Sequence, residues 1–232
     1  MYRDKKISIY FPCRNEEKHL EQLINRIPKF IDEIIIISNK STDNTYQKAL
    51  NLGVKSIEDD RTIKGIGYGF AHMTGIKEAT GDIILTADGD MTYPTERASE
   101  IIDYFLDNEL DFISCNRYPK KDETKIPLIL QFGVFILNFE TRILYGKKIN
   151  DILSGMWIFN QETKNKLHLT MGDWNLSPEI KIKAMTNKNI NFSEFNIAQH
   201  QREGKTKQQY LATGLSHFFW IFKNRFFHKQ PQ

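Results

Sequence analysis

The chain holds only two cysteines, Cys13 and Cys115, among its 232 residues. They stand far apart and belong to no C-x-x-C pair. Neither a disulfide framework nor a cysteine zinc site is expected, and a reduced, cytosolic setting is the default. Net charge is also scarce, at +3, so the global basic signature of a nucleic-acid binder is missing. No apolar run reaches the roughly 20 residues that a membrane span needs. The longest, residues 126–137, is interrupted by Gln131 and Gly133. Met1 to Lys6 lead straight into a strand pattern, with no apolar leader ahead of it. There is no G-x-x-x-x-G-K-[ST], which argues against a P-loop NTPase. The glycines at Gly65, Gly67 and Gly69 follow the third predicted strand. A dinucleotide fingerprint needs them between the first strand and its helix.

What the chain does have is organised around Gly81-Asp82-Ile83-Ile84-Leu85-Thr86-Ala87-Asp88-Gly89-Asp90-Met91-Thr92-Tyr93-Pro94. A short apolar run ends in two carboxylates with one residue between them. Carboxylates at the end of a buried strand are costly unless positive charge sits with them. A divalent cation holding a diphosphate supplies it, because Mg²⁺ and Mn²⁺ prefer hard oxygen ligands. Gly89 leaves room for a ligand to approach closely. Asp-Gly is also a common solvated turn, so the rest of the chain has to decide.

Taken in order, Ile7 to Phe11 read as a first strand, closed by Pro12. Leu20, Leu23, Ile24 and Ile27 have helical spacing. Ile34 to Ile37 form an unbroken β-branched run, as in a strand buried on both faces. Ser41 to Thr45 offer N-cap residues, and Val54 to Ile57 suit a third strand. A glycine-rich run leads into a helix through Ala79. The alternation predicts an open, mostly parallel α/β sheet with ligands beyond the carboxyl ends of its strands. That rule gathers residues 12–16, 38–41 and 88–90 at one crevice. A helix then runs to about Asp107, and a strand covers Phe112 to Ser114. Beyond Pro119 the alternation breaks. Residues 126–145 are a helix that is apolar around most of its circumference. Asp151 begins a strand-like segment, Ser177-Pro178-Glu179 opens a helix, and residues 190–197 suit a late strand. Leu211, Leu215, Phe218, Phe219, Phe222 and Phe226 form a final helical stripe.

In this order the motifs resemble the inverting glycosyltransferases of family 2, which have the GT-A fold, and in particular the branch that makes polyprenyl- or dolichyl-phosphate sugars. The motifs are Pro12-x-x-Asn15-Glu16-Glu17, Ser41-Thr42-Asp43-Asn44-Thr45, Lys64-Gly65, Ala79-Thr80-Gly81-Asp82, Asp88-Gly89-Asp90-x-Thr92-Tyr93-Pro94, Asn116-Arg117-Tyr118, Asp151-x-x-Ser154-Gly155, Ser177-Pro178-Glu179 and Arg202-x-Gly204-x-x-Lys207. The resemblance implies a Rossmann-like catalytic domain over residues 1–207, followed by an amphipathic helix and basic tail over 208–232. It places Pro12, Arg14 and Glu16 on the base and ribose of a nucleoside-diphosphate sugar. Asn39, Lys64 and Gly89 join them as donor contacts. Asp88 and Asp90 match the family's metal motif for Mg²⁺ or Mn²⁺, with Thr92 as a further oxygen. Arg117 and Arg202 match arginines on the donor or acceptor phosphates, and Lys205 and Lys207 belong to the basic loop that closes over the donor. Ser38 stands where relatives usually carry aspartate, Trp157 where they often carry arginine, and Thr206 where they carry serine.

The implied reaction moves a sugar to an acceptor with inversion. A lipid phosphate is already an anionic nucleophile. A glycan or protein hydroxyl would need a carboxylate to take its proton, and Asp151 and Glu179 are the candidates. Asp151 is equally a turn residue, and Glu179 equally a first-turn charge. Trp157 and Trp174 either line the acceptor path or pack in the core. His72, His168 and His217 read as structural or surface residues, and Glu140 and Arg142 as a solvated helix face.

From His200 onward, six Lys or Arg residues face Glu203 alone. Apolar stripes beside such a cluster suit a helix lying in an anionic membrane interface. The alternative is a helix packed on the catalytic domain or on a partner chain. The expected setting is cytoplasmic and peripheral on the membrane, with a polyprenyl-phosphate or glycan acceptor, no nucleic acid, and a homo-oligomer as one option. Two other readings are a nucleotidyltransferase, which also uses paired aspartates, and a non-catalytic nucleotide-binding protein.

Overall fold

The computed structural model describes residues 1–120, 126–201 and 208–227. Its elements are β1 (Ile7–Cys13), α1 (Leu20–Asn25), β2 (Glu33–Ser38), α2 (Thr45–Asn51), β3 (Lys55–Glu58), α3 (Tyr68–Glu78) and β4 (Ile83–Thr86). A single 3-10 turn, Thr95–Arg97, leads into α4 (Ala98–Asp107). Then come β5 (Phe112–Asn116), α5 (Leu128–Tyr145), β6 (Trp157–Asn160), α6 (Gln161–Lys166), α7 (Leu176–Thr186), β7 (Phe192–Asn196) and α8 (Tyr210–Phe227).

The seven strands form one sheet in the order β3-β2-β1-β4-β6-β5-β7. β6 runs antiparallel to β4 and β5, and the other pairs are parallel. β1 leads outward to β2 and β3 on one side and has β4 on the other, so the strand order reverses at β1 and β4. That is where α/β sheets open a crevice for ligands.

Period-two alternation explains why the strands are continuous apolar runs. Ile7, Ile9 and Phe11 of β1 and Ile83 and Leu85 of β4 face the core formed with α1, α2 and α4. Tyr10, Ile84, Trp157 and Phe159 face the opposite core, formed with α3 and α7. With both faces covered, no position in these strands is left for a solvated side chain.

A third core joins α5, α7 and α8 through Leu137, Ile152, Ile182, Met185 and Ile221. Tyr145 Oη donates to the Ile221 carbonyl at 3.1 Å, and Asn224 Nδ2 donates to Tyr145 Oη at 3.0 Å. Arg225 Nε donates to the Leu144 carbonyl at 2.7 Å. The helix after residue 208 thus shares a core with α5 and α7. α5 ends where Gly146 takes φ 66° and returns its N–H to the Arg142 carbonyl, a left-handed stop that glycine adopts without strain.

Two expectations need correction. The strand beside Asp151 starts only at Trp157. The backbone of residues 150–155 bonds to side chains instead of a neighbouring strand, as described below. Glu140 is not solvated. It lies on the packed face of α5 with Val134, Leu137 and Thr141, it is 8% exposed, and neither carboxylate oxygen has a hydrogen-bond partner.

Burial pushes the Glu140 carboxyl up from 4.5 to about 7. The unfolded chain ionises this group above pH 4.5, whereas the folded chain holds the proton to about pH 7. Stability is therefore lost across that window, and the deficit is complete above it. Glu140→Gln should leave stability unchanged below pH 4. At pH 8 it should raise the Tm by about 2–4 °C, the shift that about 1 kcal/mol produces in a chain of this size. Thermal unfolding at the two pH values checks this, and an equal shift at both would contradict it.

Candidate active site

The loops that leave β1 and β2 hold each other. Thr42 N–H donates to Asn15 Oδ1 at 2.7 Å, and Asn15 N–H donates to Ser41 Oγ at 3.1 Å. Glu16 N–H donates to Thr45 Oγ1 at 2.9 Å, and Glu17 N–H to Asp43 Oδ2 at 3.2 Å. Asn44 donates to Glu17 from both its backbone and its amide. Half of the two motifs is thus a latch between loops. Pro12, Arg14 and Glu16 line a cavity of about 1040 Å³, as do Asn15, Glu17 and Asp43 of the latch. Asn15 takes φ 55° to make this turn, a left-handed conformation that asparagine tolerates better than most residues.

The floor of the cavity is the segment after β4. Asp88, Gly89, Asp90 and Thr92 all line it. Met91 has φ 64°, a strained backbone for a non-glycine residue and one that clusters at functional sites. Thr92 donates to Asp90 Oδ1 from N at 3.2 Å and from Oγ1 at 2.6 Å. The Thr92 hydroxyl therefore orients Asp90. Tyr68 Oη donates to Asp88 Oδ1 at 3.3 Å, and burial, then Asp88 itself, raises the Tyr68 phenol well above its usual range. A Cβ on Gly89 would stand 2.4 Å from Cys13 Sγ, and one on Gly155 would stand 2.9 Å from Asp88 Oδ1. Both positions need glycine, because backbone passes directly against a side chain.

Arg117 supplies the positive wall. It lines the cavity and is held by Asp151, with Nε to Oδ2 at 2.6 Å and Nη2 to Oδ1 at 2.9 Å. Burial works against both charges. The Arg117 guanidinium nevertheless holds the Asp151 carboxyl below the usual carboxylate range, and Asp151 raises Arg117 in return. Asn39 also lines the cavity, with its amide nitrogen donating to the Asp59 and Arg61 carbonyls.

Three expected positions do not face the cavity. Asp151 is fully buried behind Arg117. Glu179 is buried and accepts from Thr170 N, Thr170 Oγ1 and Met171 N, and it pairs with Lys183 at 2.8 Å. It pins the loop ahead of α7. Neither carboxylate is placed to take a proton from an acceptor. Lys64 is exposed at the rim, and its neighbour Gly65 is the residue that lines the cavity. Arg202, Lys205 and Lys207 lie outside the described residues. Trp157 is a core residue, whereas Trp174 lines the cavity and packs on Tyr68 with ring centroids 4.6 Å apart.

Tyr93 had a place in a motif but no role, and His72 and His217 were read as structural or surface residues. Tyr93 Oη accepts from Gly155 N at 2.6 Å. His72 is buried beside Tyr68, Tyr10 and Trp157, and burial, then Lys181, lowers it to about 3, so the ring is neutral. His217 bonds to Asn175 Oδ1 through Nδ1 and is lowered to about 4 by burial, then Lys181. Tyr93 had a signal, since it sits inside the motif from Asp88 to Pro94. The histidines had none.

The donor set of Asp88, Asp90 and Thr92 consists of oxygens alone. Among the described residues no group of three or more His, Cys, Asp or Glu forms a closed cage. Such a set suits Mg²⁺ or Mn²⁺ whose remaining ligands come from substrate phosphates and water.

At its other end the same cavity is apolar, walled by Ile129, Phe132, Leu137, Leu211, Leu215 and Phe218 of α5 and α8. Both helices also carry stripes on their outer faces. Leu128, Phe135, Phe139 and Ile143 of α5 are 56–81% exposed, and Phe219, Phe222 and Phe226 of α8 are 47–59% exposed. α5 is long and apolar enough to cross a membrane by length and composition.

The family model described as "Glycosyl transferase family 2" matches residues 8–167. A dolichol-phosphate mannosyltransferase of Pyrococcus furiosus is 26% identical over 229 residues, covering 94% of this chain and 64% of the relative. A dolichyl-phosphate hexose transferase of Haloferax volcanii is 26% identical over 213 residues, covering 90% of each. Among solved structures, glucosyl-3-phosphoglycerate synthase of Mycobacterium tuberculosis, in complex with Mn²⁺, UDP and phosphoglyceric acid, superposes with a TM-score of 0.75. It shares 16% identity and covers 96% of this chain and 78% of that one. The likeness in fold extends through both halves of the sheet.

Proposed function

Since the chain belongs to glycosyl transferase family 2, we propose that it moves a sugar, with inversion, from a nucleoside-diphosphate sugar to a polyprenyl phosphate at a membrane surface. The observation that carries this reading is the single cavity, polar at Asp88, Asp90 and Arg117 and apolar between α5 and α8. A head group that is anionic and a tail that is hydrocarbon fit those two ends. The names of the two relatives support the same acceptor class.

The chemistry follows from the side chains. Pro12, Arg14, Glu16 and Asn39 hold the nucleoside end. Asp88 and Asp90 would hold Mg²⁺ or Mn²⁺, and such an ion would supply charge neutralisation for the leaving diphosphate. Arg117, fixed in orientation by Asp151, presents its planar fork to phosphate oxygens. An acceptor phosphate oxygen attacks the anomeric carbon from the face opposite the diphosphate. The bond from that carbon to the diphosphate oxygen breaks, and the nucleoside diphosphate leaves with the electron pair. The phosphate needs no general base, which agrees with Asp151 and Glu179 both being committed elsewhere.

Incubating the enzyme with a panel of nucleotide sugars, Mn²⁺ and vesicles containing a short polyprenyl phosphate tests this. A sugar-phosphoryl-polyprenol product, detected by mass spectrometry, is expected. Product formed only on a glycan or polyprenol hydroxyl would overturn the acceptor assignment.

The outer stripes of α5 and α8 are the surface that lies on the membrane in this reading. One face of α5 is packed on Ile152, Ile182 and α8, so lipid cannot surround it, and an in-plane placement fits both helices. Phe219→Ser with Phe226→Ser removes two exposed rings, each worth about 1.5–3 kcal/mol when buried. Partition onto phosphatidylglycerol vesicles should fall about a hundredfold, with donor binding unchanged. Flotation equal to wild type would contradict the placement.

A further inference from the structure

Lys181 is fully buried on α7, between Ile180 and Ile182, and no motif includes it. Its ammonium donates to the Ile152 carbonyl at 2.8 Å, the Ser154 carbonyl at 2.5 Å and Ser177 Oγ at 3.4 Å. It lies 5.8 Å from the centre of the Trp157 ring. The Ser154 carbonyl accepts from Trp157 Nε1 at 2.9 Å as well. The residues so held, Ile152 and Ser154, lie between the two that matter at the site. Asp151 grips Arg117, and Gly155 passes against Asp88.

At the other end of this segment, Glu194 accepts from Asn150 N at 2.9 Å and from Asp151 N at 3.3 Å. A carboxylate therefore reads the N–H groups where the segment begins, and an ammonium reads the carbonyls where it ends. Each charge meets the end of the peptide dipole that complements it.

We infer that Lys181 is a positioning residue, whose ammonium fixes residues 151–155 so that Asp151 sets Arg117 and Gly155 stays against Asp88. The role in catalysis rests on the sugar-transfer reading; the clamping of the segment does not. A fully buried ammonium is an expensive way to fill a core, because it loses its hydration. Burial lowers Lys181 to about 7 even with Asp151 opposite, while Arg117 opposes its charge and Glu194 and Asp88 favour it. An apolar side chain of similar length would avoid that cost but would leave the Ile152 and Ser154 carbonyls without this donor. The two carbonyl bonds, and not the filling of a core, account for the lysine.

The test uses Lys181→Met and Lys181→Gln in the full chain. In Lys181→Met, amide hydrogen exchange over residues 151–156 should quicken at least tenfold, with β1 and β4 unchanged. Lys181→Gln, which keeps one donor, should fall between. In the presence of Mn²⁺, the affinity of Lys181→Met for UDP or GDP, whichever wild type binds, should drop about tenfold. The affinity for the matching nucleoside, which lacks the diphosphate, should not change. Unchanged exchange over residues 151–156 in a folded variant would overturn the inference. If Lys181→Met does not fold, Lys181→Gln decides by the same measurement. If wild type binds neither nucleotide, the donor reading fails, and the exchange result still decides the role of Lys181.

Discussion

Asp90→Ala is expected to lower sugar transfer by about a thousandfold or more and to remove the Mn²⁺ dependence of donor binding. The size follows from what the side chain holds. Each tenfold in rate is about 1.4 kcal/mol, and stabilising a departing diphosphate is worth several such steps. Asp90 is 9% exposed at the cavity floor and is oriented by two bonds from Thr92, so it does not turn away when ligand is absent. The fold should survive, because Asp90 lines the cavity and takes no part in the hydrophobic cores. Thr92→Val removes one of the two bonds and should cost less, about tenfold. Comparing the two separates the carboxylate itself from its orientation. Steady-state rates and donor titrations with and without Mn²⁺ give both numbers.

Asp151→Asn should have the largest effect on stability. It leaves the Arg117 guanidinium, whose side chain is 16% exposed beside a fully buried carboxylate, without its counter-charge. Breaking one side of a buried pair costs about 3–5 kcal/mol, which in a chain of this size lowers the Tm by about 10 °C. The pH dependence has a definite sign. Asp151 is held below its ordinary value of 3.8, so its contribution is complete above about pH 4 and is lost as pH falls through the lower folded value. The gap between wild type and Asp151→Asn should therefore narrow only in acid. A double replacement, Arg117→Met with Asp151→Leu, removes both charges and should recover most of the stability while staying inactive. Recovery of activity in that double variant would contradict the role given to Arg117.

The two central predictions draw on parts of the molecule that differ in how readable they were. Asp88 and Asp90 stand in a local pattern, an apolar strand followed by paired carboxylates, and both reach the cavity. β1, β2 and β4 were legible for the same reason, since a strand covered on both faces reads as a nearly unbroken apolar run. The latch between Asn15, Glu17, Ser41, Asp43 and Thr45 was visible only as two motifs, because its bonds run between loops 27 residues apart. Asp151 was legible as important but not in its role: what it does depends on Arg117, 34 residues away. β6 was expected to begin at Asp151 and begins only at Trp157, because it has four residues and takes its place between β4 and β5 by tertiary pairing. α6, with the sequence QETKNK, has no apolar period at all. Lys181 and Glu140 are the sharpest failures of pattern. A charged residue in an amphipathic helix reads as solvated, and only the packing of α7 and α5 puts these two inside.

The most direct test of the site is a calorimetric titration of the wild-type chain with UDP, GDP and their sugar conjugates, each with and without Mn²⁺. One nucleoside diphosphate should bind at micromolar concentration, at least tenfold more tightly with Mn²⁺ than without. Absence of binding by every nucleotide in a folded sample, with metal present, would contradict the assignment of Asp88, Asp90 and Arg117 as a diphosphate site.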